Sequence, residues 1–269
     1  MVFQQAELDV AIAAAKDAAE VLKEYFRKPK QIEYKSSWNL VSTADLQAEK
    51  VIIDRIRQSF PDHEILAEES ANAALQADHL WIVDPLDGTN NFCHGLDHFA
   101  ISIGYYRHGR PNLGVVYRPM SDDWFICGRD QGAFHNGLRV TTSPAKRLDE
   151  ALIGTGFFYD RGQAMKQTLQ SIEVLFEQKI RGIRRMGTAS LDLCSVGCGW
   201  FEGFFEFELA FWDYAAGKLF VEEAGGLVTN CVGDVFSSGS SSIIASCQGL
   251  HATMLNMIKP KFQTLNQGI

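Results

Sequence analysis

Apolar residues recur at helical spacing near the start of the chain. Over residues 6–26 they fall three or four positions apart, and strong helix formers occupy the positions between them. This pattern predicts a first helix that packs one face against a core. The apolar positions Val51, Ile52 and Ile56 indicate a second helix, with Asp45 near its start. Helix capping alone would account for Asp45, since Ser, Thr and Asp are common at helix N-termini.

Alternating and continuous apolar runs in the middle of the chain predict strands. Residues 64–70 are predicted to form a short strand that ends in two adjacent acids, Glu68 and Glu69. Because neighbouring strand residues face opposite ways, only one of these acids can point directly into a shared site. Hairpin turns are predicted at His108-Gly109 and at Asn136-Gly137, where residues that accept a positive φ separate two apolar runs.

The second half of the chain alternates helix and strand. A strand is expected through Gly156, followed by a helix around residues 163–178 and another over residues 188–199. No Pro- or Ser-rich linker marks an independent domain. We therefore place a lobe boundary near residue 150, which divides the chain into residues 1–150 and 151–269. The pattern alone predicts only a mixture of helices and strands.

Two acids surround the end of another predicted strand. Residues 80–83 are continuously apolar, and Pro85 is expected to stop the strand because it removes a backbone donor. Asp84 then lies at the strand end and Asp87 on the turn beyond it. Hard cations such as Mg2+ prefer oxygen ligands, so two carboxylates fixed in this way suit a metal site.

The residues that follow Asp87 suit an anion. Gly88 allows backbone to approach a ligand closely, and the amides of Gly88, Thr89 and Asn90 could face a phosphate if a helix or tight turn begins there. Thr89 adds a hydroxyl group. An ordinary surface turn would use the same residue types, so this stretch alone does not decide between the two interpretations.

Three further positions in the second half carry candidate chemistry. Ala189 follows Gly187-Thr188 at the start of a predicted helix, and Asp213 lies near the start of another. Asp213 alone would be explained as a helix cap, and Glu206 as an exposed strand residue.

Bulk properties exclude several classes of protein. The chain has 269 residues, of which 46% are hydrophobic, enough for one large core or two joined lobes. A net charge of -8 argues against a general affinity for nucleic acid or anionic membrane. No apolar run is long enough to cross a bilayer and the N-terminus lacks a signal-peptide pattern, so we expect a cytoplasmic protein. The six cysteines form no Cys-x-x-Cys pair and are interpreted as reduced structural thiols.

Three motifs, taken together and in order, resemble the inositol monophosphatase family of metal-dependent, lithium-sensitive phosphatases. They are Ala67-Glu68-Glu69-Ser70, Asp84-Pro85-Leu86-Asp87-Gly88-Thr89 and Trp212-Asp213-Tyr214-Ala215-Ala216-Gly217. The resemblance runs from the Asp45 region to residues 224–226. A cap, a turn and a strand end need not otherwise coincide with one phosphatase pattern, so the ordered set is far more specific than any single motif.

The resemblance assigns roles to individual positions. The metal ligands that it implies are Glu68, Asp84, Asp87, Asp213, the carbonyl oxygen of Leu86 and, for an additional metal or its water, Asp45. Thr89 matches the family's catalytic threonine. Thr89 oriented by Asp45 would position or deprotonate the attacking water, Glu68 is the alternative base, and the sequence does not decide between them. The substrate contacts that the resemblance implies are Asp87, Gly88, Thr89, Asn90, Ala189, Glu206 and Asp213. Lys35 falls in a segment near the family's site, where a charged loop could help close over the metals. Asn90 stands where many relatives have Thr, which matters little if this position acts through its backbone amide.

The implied reaction is hydrolysis of a phosphate monoester by water, with two or three Mg2+ ions and no covalent intermediate. The implied fold is α/β, a layered α-β-α-β-α sandwich, assembled as a homodimer. The segment from Glu206 to Asp213 is most similar to inositol phosphatases, which favours myo-inositol monophosphate, a small phosphorylated polyol. Histidinol phosphate, fructose bisphosphate and nucleotide 3'-phosphates remain alternatives, because related phosphatases share the metal motifs. Since some bacterial relatives associate with transcription machinery, a regulatory protein-binding role is a further hypothesis.

Overall fold

The computed structural model describes residues 5–26, 32–34, 40–70, 75–157, 161–235 and 241–263. Lys35 lies outside these residues. Within them the helices are α1 (Gln5–Phe26), α2 (Thr43–Ser59), α3 (Thr89–Cys93), α4 (Gln163–Glu177), α5 (Ala189–Gly197), α6 (Phe211–Glu223) and α7 (His251–Gln263). The strands are β1 (Ile32–Tyr34), β2 (Leu40–Ser42), β3 (Glu64–Ala67), β4 (His79–Asp87), β5 (Ala100–Arg107), β6 (Arg110–Arg118), β7 (Asp123–Gly128), β8 (Gly132–His135), β9 (Leu138–Val140), β10 (Leu152–Thr155), β11 (Gly182–Arg184), β12 (Gly203–Glu206), β13 (Leu227–Thr229) and β14 (Ile243–Ser246).

The predicted N-terminal helices are confirmed, and they form the first layer. Helix α1 buries a stripe of small residues that includes Ala11, Ala15 and Ala18, so α2 can approach it closely. Both helices pack on one face of a seven-stranded sheet, where Trp81 and Tyr105 of the sheet are fully buried beneath them. Burial of this apolar face, rather than helix propensity alone, supplies most of the stability of such helices.

The seven-stranded sheet has the strand order β3-β4-β5-β6-β7-β8-β9. Strands β3 and β4 are parallel, and every later pair is antiparallel. Both predicted hairpin turns are present: His108 and Gly109 have φ of 50° and 71°, and Asn136 and Gly137 have φ of 49° and 80°. Positive φ at both central residues matches the twist of the flanking strands.

The expectation that Pro85 stops its strand is wrong. Strand β4 continues to Asp87, and its pairing with β5 is irregular between Asp84 and Asp87. Two residues of β4 there oppose the single residue Ile101, which is a bulge. Proline is tolerated at a bulge because the ladder hydrogen bond is already interrupted. Asp84 and Asp87 therefore both belong to one bulged strand.

A five-stranded sheet, ordered β11-β10-β12-β14-β13, forms the fourth layer. Strand β10 runs parallel to β11 and β12, whereas β14 is antiparallel to β12 and β13. Helices α4 and α7 cover its outer face.

Helices α5 and α6 lie between the two sheets. Residues of α6 pack on the first sheet, where a Cβ on Gly114 would lie only 2.9 Å from the carbonyl oxygen of Ala216. The opposite faces of α5 and α6 contact the second sheet through Leu193 and Val221. The layers therefore follow the expected α-β-α-β-α order. The lobe boundary near residue 150 stays a prediction.

Within the described ranges, no helix combines the length and the apolar character that crossing a membrane requires.

Candidate active site

A cavity of about 300 Å³ opens where the two sheets and the helices between them meet. Residues from both halves of the chain line it, among them Glu68, Asp87, Thr89, Ala189, Glu206 and Asp213. Most of the side chains that the sequence assigned to a metal and phosphate site are thus gathered at one place. Asp45, Asp84 and Leu86 are buried beside it.

Asp84 is almost fully buried, and its carboxylate accepts a hydrogen bond of 3.0 Å from the amide of Leu86. Burial raises the pKa of Asp84 well above its ordinary value, and the nearby charges of Glu68, Asp87 and Asp213 raise it further. The charges of three other acids therefore act on Asp84, which is an electrostatic environment that a bound cation would relieve.

The two acids that end the run after β3 face different surroundings. Glu68 lines the cavity. The amide of Glu69 instead donates a hydrogen bond of 2.7 Å to the buried carboxylate of Glu49. The structure therefore places one acid of the pair in the site, and the backbone of the other ties the segment to α2.

Asp87, at the end of β4, is hydrogen-bonded to the start of α5. Its carboxylate accepts hydrogen bonds from the Ser190 amide at 2.7 Å, the Ser190 hydroxyl at 2.5 Å and the Ala189 amide at 3.3 Å. Burial raises the pKa of Asp87 to about 6, although these hydrogen bonds act in the opposite direction. A carboxylate at a helix N-terminus is also stabilised by the helix dipole. Asp87 thereby joins the two halves of the site.

Asp213 occupies the third residue of α6, where its carboxylate accepts a hydrogen bond of 2.6 Å from the amide of Ala210. Burial, together with the charges of Asp87 and Glu68, raises its pKa well above the ordinary value. The helix-capping interpretation and the site interpretation are therefore both consistent with the structure, since Asp213 caps α6 and also lines the cavity.

Thr89 lies within hydrogen-bonding distance of two acceptors. Its hydroxyl is 3.2 Å from a carboxylate oxygen of Asp45 and 3.1 Å from the carbonyl oxygen of Leu86. Asp45 is fully buried in the first turn of α2. A capping role alone does not predict this contact with a residue 44 positions away. The carbonyl of Leu86 keeps a second lone pair for another partner.

The turn that precedes α3 requires glycine. Gly88 has φ of 99°, and a Cβ there would lie 2.6 Å from the hydroxyl oxygen of Thr188 and 3.1 Å from the carbonyl oxygen of His98. Having no side chain, Gly88 cannot cap the first turn of α3, and Thr89 and Asn90 follow it at the cavity wall. The turn therefore packs closely against Thr188 of the second half of the chain and His98 of the first half.

Glu206 is buried at the end of β12, so the alternative that it is an exposed strand residue is wrong. Burial and the charge of Asp192 raise its pKa well above the ordinary value, whereas the charge of Arg185 acts to lower it. Ala189, the first residue of α5, is also buried and lines the cavity.

Sequence reasoning missed four residues at or near this site. Ser190 holds Asp87, Glu49 holds the segment after Glu68, and Asp192 and Arg185 line the cavity beside Glu206. Asp192 lies three residues after Ala189 on a predicted helix, and this spacing could have indicated a shared face. Glu49 follows Asp45 by four residues in the same way.

The donor set has the chemistry of a Mg2+ site. The side chains are carboxylates, a backbone carbonyl is adjacent, and Arg185 is the one basic side chain among the described residues that line the cavity. In the described ranges no three His, Cys, Asp or Glu side chains are already arranged to hold a single ion. Asp87 and Asp213 are instead hydrogen-bonded to backbone amides. The residues fit such an ion by donor type, and an ion would compete with these amides for the carboxylate oxygens.

Known proteins resemble this chain over most of its length. A family model described as "Inositol monophosphatase family" matches residues 4–262. Nus factor SuhB of Salmonella typhimurium is 42% identical over 229 residues, which cover 84% of this chain and 85% of that protein. Inositol monophosphatase 2 of Solanum lycopersicum is 38% identical over 259 residues, covering 93% of this chain and 97% of that protein. Among solved structures, an IMPase from Thermotoga maritima superposes with a TM-score of 0.88 at 33% identity, covering 96% of this chain and 98% of that one. The chain therefore belongs to the inositol monophosphatase family, and this membership indicates a phosphatase.

Proposed function

We propose that this protein is a Mg2+-dependent phosphatase that hydrolyses the monophosphate of a small polyol, with myo-inositol monophosphate as its preferred substrate. One observation carries the proposal. A single cavity brings the acids Glu68, Asp87 and Asp213 together with the Gly88 turn and with Glu206. Metal-binding chemistry, a phosphate-binding turn and an acceptor for hydroxyl groups thus lie within reach of one small substrate.

The metal ligands in this proposal are Glu68, Asp84, Asp87, Asp213, the Leu86 carbonyl and, for an additional ion or its water, Asp45. When bound, two or three Mg2+ ions would neutralise phosphate charge, lower the pKa of water and stabilise the leaving alkoxide. The turn at Gly88, Thr89 and Asn90 would orient the phosphate by its backbone amides. Because position 90 would bind phosphate through its backbone amide, Asn can stand there in place of the Thr that many relatives have.

Thr89 is the proposed residue that positions the attacking water. Its hydroxyl donates a hydrogen bond of 3.2 Å to the Asp45 carboxylate. The Thr89 oxygen can then accept a hydrogen bond from the attacking water and so orient it. Glu68 at the cavity wall is the alternative base. Substituting Thr89 by Ser, which keeps the hydroxyl, should retain far more turnover than substituting it by Ala.

The leaving-group end of the site supports a polyol. Ala189 is small and leaves space at the start of α5, and Glu206 offers carboxylate oxygens to ring hydroxyls. The carboxyl groups of Glu206 and Asp192 line this end, and Arg185 is the one basic side chain among the described lining residues. A second phosphate would find a single cationic side chain there, which favours a monophosphate over fructose bisphosphate.

Phosphate release tests the proposal. The panel would contain inositol monophosphates, fructose bisphosphate, histidinol phosphate and nucleotide 3'-phosphates, each with and without Mg2+ and Li+. We expect the highest kcat/KM for an inositol monophosphate, an absolute need for Mg2+ and inhibition by Li+. A strong preference for histidinol phosphate or a nucleotide would overturn the assigned substrate.

Matched variants test the metal ligands. Mutating a residue that only orients a metal ligand lowers metal affinity or activity roughly 10- to 100-fold. Asp84→Asn and Asp87→Asn remove a ligand itself, so turnover at limiting Mg2+ should fall by more than this factor. Asp54→Asn, at an exposed position of α2, is the control and should behave as wild type. Normal turnover of both site variants at limiting Mg2+ would refute the proposed ligand set.

A second function is favoured by the resemblance to a Nus factor. We propose that the protein, as a homodimer in the cytoplasm, also binds a component of the transcription machinery. Sedimentation would test the dimer, and a pull-down from native extract with wild type and Asp87→Asn would separate partner binding from turnover. Failure to recover a transcription component with either protein would exclude this second role.

A further inference from the structure

Gly156 lies at the end of β10, where it forms part of the cavity wall next to Glu206. The two residues are neighbours because β10 and β12 are parallel and Thr155 pairs with Phe205 one position earlier. Gly156 is buried and its φ is outside the left-handed range. Its backbone conformation therefore does not require glycine.

The carboxylate of Glu206 occupies the space that a side chain at position 156 would need. For a Cβ built on Gly156, the three nearest heavy atoms all belong to the Glu206 side chain. The Oε1 atom would lie 2.6 Å from that Cβ, and the Oε2 and Cδ atoms would be closer still. Any substituent at position 156 must therefore displace this carboxylate.

Strand β12, which carries Glu206, is paired with β10 on one side and with β14 on the other, so separating the strands to make room would cost backbone hydrogen bonds. The Thr155 hydroxyl donates a hydrogen bond of 2.9 Å to the carbonyl oxygen of Phe205 and thereby joins the ends of β10 and β12. On its other side Glu206 pairs with Ile243 of β14. A clash at Gly156 would consequently be resolved by rotation of the Glu206 side chain.

We propose that Gly156 is the positioning residue for leaving-group recognition: by lacking a side chain, it lets the Glu206 carboxylate lie across the strand end and face the hydroxyl groups of the substrate. This inference rests on the proposed function, because it deepens the role of the same site. It identifies polyhydroxylic leaving groups as the substrate class that depends on Gly156. Phosphomonoesters without ring hydroxyls should not depend on it.

A double-mutant cycle in kinetics is the first test. Gly156→Ala should raise KM for myo-inositol monophosphate about tenfold, the loss expected when one hydrogen bond to a charged group is misplaced. The kcat/KM for p-nitrophenyl phosphate should stay close to that of wild type, because a leaving group without ring hydroxyls makes no hydrogen bond to Glu206 that the substitution could misplace. In a Glu206→Ala background, Gly156→Ala should have no further effect on KM. Additive effects of the two substitutions would overturn the proposal.

A stability cycle gives a readout that needs no activity. Gly156→Ala should lower the melting temperature of wild type, but not that of the Glu206→Ala protein, because the carboxylate that it clashes with is gone. If Gly156→Ala alone does not fold, folding of the Gly156→Ala/Glu206→Ala double variant would support the proposal. Failure of the double variant to fold would overturn it.

Controls separate the possible failures. At Gly182, on the neighbouring strand β11, a Cβ would lie 3.3 Å from the flexible end of the Arg184 side chain and 3.6 Å from Leu152. This site is far less crowded, so Gly182→Ala should change neither the KM values nor the melting temperature. If wild type hydrolyses no substrate of the panel, the proposed function fails, and the stability cycle still decides whether Gly156 sets the position of Glu206. If wild type is active and the kinetic effects add, the inference about Gly156 fails alone.

Discussion

Replacement of Glu49 should weaken both the fold and the metal site. Glu49 is 1% exposed on α2, and its carboxylate accepts hydrogen bonds from the Glu69 amide at 2.7 Å and from the Ser70 hydroxyl. These two bonds fix the segment that immediately follows Glu68. Glu49 itself does not line the cavity, so its effect on activity would be indirect.

The expected loss follows from what each donor finds after the substitution. The amide of Glu69 is partly buried and would lose a hydrogen bond to a charged group, which costs about 1.5–3 kcal/mol. Ser70 is exposed, so its hydroxyl would regain water at little cost. Glu49→Ala should therefore lower the free energy of unfolding by about 2 kcal/mol. Glu49→Gln keeps one amide oxygen for Glu69 and should cost about 1 kcal/mol.

Urea unfolding measures the stability effect, and phosphate release across a Mg2+ titration measures the functional one. We expect Glu49→Ala to raise the Mg2+ concentration for half-maximal activity about tenfold, the lower end of the range for residues that orient metal ligands. Glu20→Ala, at a 79% exposed side chain of α1, is the control and should stay within about 0.5 kcal/mol of wild type.

Two results would contradict this reasoning. An unchanged urea midpoint for Glu49→Ala would mean that the two hydrogen bonds contribute nothing net. A lower midpoint with an unchanged Mg2+ requirement would mean that the position of Glu68 does not depend on the segment that Glu49 holds.

Two further predictions concern the connection between the halves and the pH dependence of stability. The Asn91 side-chain amide donates hydrogen bonds to the carbonyl oxygens of His98 at 2.8 Å and Met186 at 2.9 Å. Asn91→Ala should therefore lower the free energy of unfolding, measured by urea titration, by about 2 kcal/mol. A loss below about 0.5 kcal/mol, as at ordinary surface positions, would refute this prediction. Burial lowers the pKa of His98 from 6.5 to about 4, so the unfolded chain takes up the proton first and stability falls as pH decreases through this window. His98→Gln should therefore lose less unfolding free energy than wild type between pH 7 and pH 5. His94→Gln, at an exposed position, is the control. If the unfolding free energy of all three proteins falls equally with pH, the role given to His98 is contradicted.

Local patterns were sufficient for the elements that depend on local physics. The stripe of α1 and the turns at His108-Gly109 and Asn136-Gly137 are set by side-chain spacing and by φ preferences, which can be read from a few neighbouring residues. Pro85 was misjudged because its tolerance depends on the bulge opposite Ile101, which belongs to β5. A sequence pattern within β4 carries no information about that partner.

The candidate site divides in the same way. Glu68, Asp84, Asp87 and Asp213 could be recognised because each belongs to a short ordered motif, and the structure places them around one cavity. Gly156 could not be recognised, because its importance arises from contact with a glutamate 50 positions away on a parallel strand. Glu49 was missed for a similar reason: the donors that it binds lie 20 and 21 residues further along the chain.

The fold tolerates several acids at one cavity because backbone amides offset part of their mutual repulsion. The carboxylate of Asp84 accepts a hydrogen bond from the amide of Leu86. The carboxylates of Asp87 and Asp213 accept hydrogen bonds from the amides of Ser190 and Ala210, respectively. The latter two amides belong to the starts of helices, where an anion is also favoured by the helix dipole. Yet burial raises the pKa of each of these three acids, and neighbouring acids raise the pKa of Asp84 and Asp213 further, so the compensation by the chain is incomplete. The remaining imbalance is a negative charge that the protein does not neutralise by itself, and this is the physical basis on which a cation, followed by a phosphate, would bind there.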